Sequence, residues 1–127
     1  PPELLRRARL ATEDPAELPA AIDRLARRAA ADHAPTRDLL DELAGRLADA
    51  AVVLTTVLGP EAVVLGGYYA PLAPWVLPRV ERALADLRGF AVYRDIEALA
   101  GVHGPDAPVW GAAALAGDFI VDDPARR

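Results

Sequence analysis

Cysteine, methionine, lysine, serine, asparagine and glutamine are all missing from this chain of 127 residues. Without cysteine there is no disulfide, no thiolate metal ligand and no thiol redox chemistry. Without lysine there is no P-loop, because that motif needs a lysine to reach the nucleotide's phosphates. Histidine is scarce too. With His33 and His103 alone, a catalytic zinc site would have to draw most of its ligands from carboxylates. Aromatic residues make up 6% of the chain, so a core must rest mainly on Ala, Leu and Val. Positive charge is in the minority, and the net charge of -5 argues against a surface built to neutralise phosphates. That leaves open nucleic-acid binding by another part of a longer protein. Long apolar runs are absent: the longest, residues 50–58, is about half of what a membrane span requires. No secretory signal opens the chain. It begins Pro1-Pro2 without methionine, and we expect it to be a segment of a larger protein.

What is present is globular in character, with 53% apolar and 26% charged residues. The length suits one domain with a real core. Residues 1–34 form a helical lead-in. Leu4, Leu5 and Ala8 give residues 3–10 a short apolar face, and Asp14 followed by Pro15 is a helix-start signal. Over residues 15–31, Leu18, Ile22, Leu25 and Ala29 recur at spacings of three and four, while Arg24, Arg27 and Arg28 lie off that stripe as a solvated face. A long helix is expected over 35–58, with Leu39, Leu43, Leu47, Ala50, Leu54 and Val57 on its buried side. Its second half carries no charge on any face, which predicts that it runs into the middle of something. Gly59-Pro60 stops it.

Residues 62–65, Ala-Val-Val-Leu, then read as a central parallel strand covered on both faces, ending in Gly66-Gly67. A helix over 71–88 follows, with Leu72, Val76, Val80, Leu84 and Leu87 on one face; Pro78 predicts a kink or a delayed start. Residues 90–93 and 96–99 read as further short strands. A last helix, capped by Asp106 and rich in small residues from Gly111 to Gly117, runs to about residue 121, with 122–127 a tail. Strand, helix and strand assemble naturally through a right-handed crossover. The fold class expected is α/β, helices packed on a small, mainly parallel sheet.

One loop is site-like. Paired glycines at the carboxyl end of a buried strand, Gly66 and Gly67, let a ligand or another backbone come close, and open α/β sheets bind ligands at that edge. A tight strand-to-helix turn explains them equally simply. The dinucleotide fingerprint is absent, since Tyr68 and Tyr69 stand where further glycines would. His103 and Asp106 are three apart and could form a base and its orienter, but no nucleophile supports them. His33 reads as an exposed turn residue. Glu61, Asp95 and Glu97 are scattered carboxylates, and Trp75 and Trp110 are packing residues by default.

Three stretches in order resemble the end of a ROK protein, the family of repressors, sugar kinases and uncharacterised reading frames within the actin-like ATPases. They are residues 47–67 with the Gly59-Pro60-Glu61 turn and the VVLGG strand; Tyr68-Tyr69-Ala70-Pro71-Leu72 leading to ERALADLR; and Gly104-Pro105-Asp106-Ala107 through Gly111-Ala112-Ala113. Residues 3–8 are similar to the helix after the family's zinc loop. The resemblance implies a partial actin-like ATPase (ribonuclease H-like) C-terminal lobe and a cytoplasmic protein. The catalytic aspartate, the sugar-binding acids and the zinc ligands of the family would lie upstream, so no catalytic or metal-binding residue is expected here. By this resemblance Gly66, Gly67 and Tyr68 correspond to a nucleotide loop, one that members of the regulator branch often no longer use, and Tyr68-Tyr69 is similar to that branch rather than to the kinases. The implied partners are the rest of the parent chain, a sugar effector held by the upstream lobe, operator DNA through a separate N-terminal domain, and a second copy in a homo-oligomer. No cofactor is implied within the segment; ATP would belong to a kinase parent.

Overall fold

A computed structural model describes residues 2–87 and 96–122. Its elements run α1 (Pro2–Arg7), α2 (Leu18–Ala30), α3 (Ala34–Leu58), β1 (Ala62–Leu65), α4 (Ala73–Leu87), β2 (Glu97–Ala100) and α5 (Ala107–Asp122). Single 3-10 turns precede α2, α4 and α5. The chain is α/β at this level: mostly helical, with β1 and β2 paired in parallel from Ala62↔Glu97 to Leu65↔Ala100. The strand expected over 90–93 lies outside the described residues.

Local chemistry sets most boundaries. The Asp14 side chain accepts from the Ala16 amide at 2.8 Å, and Pro15 opens the turn that leads into α2. Gly59 closes α3 in the left-handed conformation, at φ 57°, with its amide donating to the Thr55 carbonyl. α1 and α2 end differently, with Arg9 and Asp32 taking left-handed positions at φ 56°. In each case the next amide reaches back to form a Schellman turn, Leu10 to the Leu5 carbonyl and His33 to that of Arg28. α4 starts at Ala73, and Pro78 lies inside it, so the start is not delayed to that proline.

The core joins Leu4 and Leu5 of α1, Ile22 and Leu25 of α2, Leu39 and Leu40 of α3, and Leu72, Val76, Val80 and Leu84. Each such fully buried aliphatic side chain contributes roughly 2 kcal/mol before the entropy of ordering it. Two exposed ion pairs tie α3 to its neighbours: Arg7 to Glu42 through two hydrogen bonds of 2.9 and 2.6 Å, and Arg79 to Asp41 at 2.9 Å.

Three expectations are corrected. α3 buries Leu39, Leu40, Ala44, Ala48, Ala51 and Thr55; of the expected line Leu39 is buried, Leu43 and Leu47 pack half-buried against the core, and Ala50, Leu54 and Val57 are exposed. Toward its end the helix thus buries small side chains and turns its larger ones outward. Leu54 is 52% and Val57 74% exposed, so one side of the uncharged half of α3 faces outward while Ala51 and Thr55 on the other are buried. The sheet is likewise covered on one face only. Val63, Leu65 and Ala98 pack against the core, while Val64 and its partner Leu99 point away, Val64 being 59% exposed. In the small-residue segment of α5, residues 111–115 are exposed. Among the described residues, no helix is long and apolar enough to cross a membrane.

Candidate functional site

The site-like region is the carboxyl edge of the two strands. Gly66 continues β1 in an extended conformation, and Gly67 then turns left-handed at φ 59°, which favours glycine. The chain passes directly into the 3-10 turn Gly67–Leu72, with the Tyr69 amide donating to the Gly66 carbonyl at 3.2 Å. Beside it, β2 ends at Gly101, whose amide donates to the Leu65 carbonyl at 3.0 Å. A Cβ on Gly101 would lie 3.1 Å from the Gly66 Cα, so here two backbones come closer than a side chain ordinarily allows. Sequence reasoning missed Gly101. Its signal was a glycine directly after a strand, but its meaning depends on the register of β2 against β1.

Tyr68 and Tyr69 do not fill the space over the glycines. Both rings are half-buried and packed against the helical core. An added Cβ on Gly66 or Gly67 would meet nothing within 4 Å. The sequence pairs bulky rings with a narrowed loop; in the fold the rings anchor the loop from behind and leave its outer side open.

His103 and Asp106 are not a base and its orienter. His103 is the residue before the Gly104–Asp106 turn, and its ring stacks on Trp110, with centroids 5.1 Å apart and an interplanar angle of 26°. Asp106 lies inside that turn, not ahead of it as a cap, and is exposed. His33 precedes α3 and places Nδ1 2.9 Å from the Thr36 hydroxyl. Trp75 is half-buried against the core. Glu61 and Glu97 are exposed, and only their backbones meet, at 3.4 Å; Asp95 lies outside the described residues. No group of three His, Asp or Glu that could hold a metal occurs among the described residues.

The chemistry available at the edge is therefore that of backbone amides and open space, with no acid–base pair or nucleophile assembled there among the described residues. The titrations with a resolved direction lie elsewhere. The hydrogen bonds from Arg7 hold Glu42 below the usual carboxylate range, and the same contact raises Arg7. Among the described residues, Gly66, Gly67 and Tyr68 line none of four of the better-formed surface concavities. No protein-family model, curated protein or solved structure matches this chain.

Proposed function

We propose that this chain is the C-terminal effector-lobe segment of a sugar-responsive transcriptional regulator of the ROK type, with a partial actin-like fold. The observation that carries the reading is the incompleteness of its α/β unit. β1 and β2 run parallel with glycines at both carboxyl ends, yet one face of the sheet and one side of the second half of α3 lie bare. Parallel sheets are covered on both faces in finished domains. Val53, Leu54, Val57, Leu58, Val64 and Leu99 form the kind of surface that another part of a parent chain would cover. The order of the long helix, the VVLGG strand and the Gly-Pro-Asp segment is the order expected at the end of such a protein.

In this reading the segment supplies half of the effector lobe, while sugar contacts and operator reading belong to upstream parts. The isolated chain is expected neither to phosphorylate glucose nor to retard duplex DNA. The parent protein is expected to retard its own promoter and to release it on binding a sugar. Operator binding retained by the isolated chain would overturn the proposal.

One observation favours a second reading, an ATP-dependent hexose kinase of the same family: the space beyond Gly66 and Gly67 is open. Calorimetric titration of the parent with Mg-ATP separates the two. Saturable binding with glucose phosphorylation supports the kinase, and its absence supports the regulator.

A further inference from the structure

The ends of three helices meet around a concavity of about 600 Å³ lined by Arg7, Ala8, Arg9, Arg28, His33, Pro35 and Thr36. Its charged and titratable lining, among the described residues, is three guanidiniums and one imidazole, with no carboxylate. That is unexpected in a chain of net charge -5.

Two of the arginines are held in place from one side. Arg28 donates one terminal N–H to the Ala8 carbonyl at 2.9 Å, and Arg7 gives two to Glu42. A guanidinium has five N–H donors, so each keeps others free to reach into the concavity. The Arg9 amide donates to the Arg6 carbonyl at 3.0 Å, while its guanidinium makes no hydrogen bond or ion pair with another described residue. Its left-handed backbone, fixed by the Schellman turn that closes α1, sets where its side chain leaves the chain. The amino end of α3 opens at the same place; Pro35 has no N–H and the Thr36 and Arg37 amides donate to the His33 carbonyl, so what it adds is the positive end of the dipole of a 25-residue helix. The nearby acids are committed: Glu42 to Arg7 and Arg46, and Asp32 to Arg37.

We propose that this concavity binds the phosphate group of a small soluble phosphomonoester. Planar guanidiniums match the oxygens of a phosphate in pairs, and fixed arms lose little entropy in doing so. The volume leaves room for a metabolite-sized body beside the phosphate. The inference is independent of the functional reading above.

The test follows backbone amide and arginine Nε–H resonances of the whole chain at constant ionic strength. The probes are inorganic phosphate, glucose 6-phosphate, glucose and phosphatidic acid vesicles. Arg9→Gly removes one guanidinium while relieving a left-handed non-glycine backbone, so the fold is retained; Arg28→Lys keeps the charge and loses the fork. Saturable shifts at residues 7–9, 28 and 33–36 are expected with the two phosphates and not with glucose. Each variant should weaken them about threefold or more. The proposal is overturned if phosphate gives no saturation up to about 20 mM, if Arg9→Gly binds as the unaltered chain does, or if only the vesicles bind.

Discussion

Gly101 and Gly66 hold the ends of the two strands together: a Cβ on Gly101 would come within 3.1 Å of the Gly66 Cα and 3.5 Å of the Leu65 carbonyl oxygen. Both are backbone atoms of the paired strand and cannot swing aside as a side chain would. Gly101→Ala should therefore push β2 away from the Gly66-Gly67 loop and cost about 1–2 kcal/mol. Gly66→Ala points into open space and should cost less, since its backbone is extended. Urea denaturation of the two variants checks the order; equal midpoints would show that the strand ends do not touch.

The face of α3 supplies a second contrast. Ala48 and Ala51 are buried against the core, while Leu54 and Val57 stand in solvent. Ala48→Leu should overpack the interface with α4 and destabilise the chain by about 1–3 kcal/mol. Leu54→Ala changes the apolar volume by the same amount in the opposite direction, yet should stay within about 0.5 kcal/mol of the unaltered protein, as surface changes do. Thermal melts decide it. A large loss from Leu54→Ala in the isolated chain would mean that the other face of α3 is the packed one.

That contrast also shows what the sequence could and could not disclose. β1 was legible because turn residues bracket four apolar ones, and α2 because its charges mark the outside. The second half of α3 has no charges, so spacings of three and four fit more than one face. Giving Leu and Val precedence over Ala and Thr then selects the wrong one. The closeness of α3 to α4, which makes alanine the better buried residue, is a property of the pair of helices. At the candidate site the glycines of β1 were visible in the same way. The role of Gly101 was not, because it exists only once β2 is in register. The rings of Tyr68 and Tyr69 were misplaced since nothing local says that they turn back to the core.

Glu42 should make the docking of α1 on α3 sensitive to acid. Its hydrogen bonds from Arg7 lower its pKa in the folded chain below the reference value of 4.5. A carboxylate depressed in this way contributes stability that is fully present above the unfolded value and is lost as pH falls through the folded one. Arg7, raised by the same contact, stays charged throughout that range. Glu42→Gln should thus lower the melting temperature at neutral pH, with the difference closing as the pH drops below 4.5. Because the pair is exposed, added salt should shrink the difference as well. A gap that stays constant into acid would assign the effect to packing of the Glu42 stem.

Thr55 poses the opposite case, a polar group where none is needed. It is 0% exposed, and its hydroxyl has no hydrogen-bond partner among the described residues. The hydroxyl of Thr56, one residue on, donates to the Val52 carbonyl at 2.8 Å, so the backbone there does accept such bonds. An unsatisfied buried hydroxyl costs about 1–3 kcal/mol, and Val has nearly the same shape with a methyl in its place. Thr55→Val should therefore raise stability by about 1 kcal/mol, with Thr55→Ser lower than either because it opens a cavity and keeps the hydroxyl. Chemical denaturation of the three proteins gives the ranking. If valine proves the least stable, the hydroxyl has a partner, and α3 must be rotated from the orientation that buries Ala51 and Thr55 together.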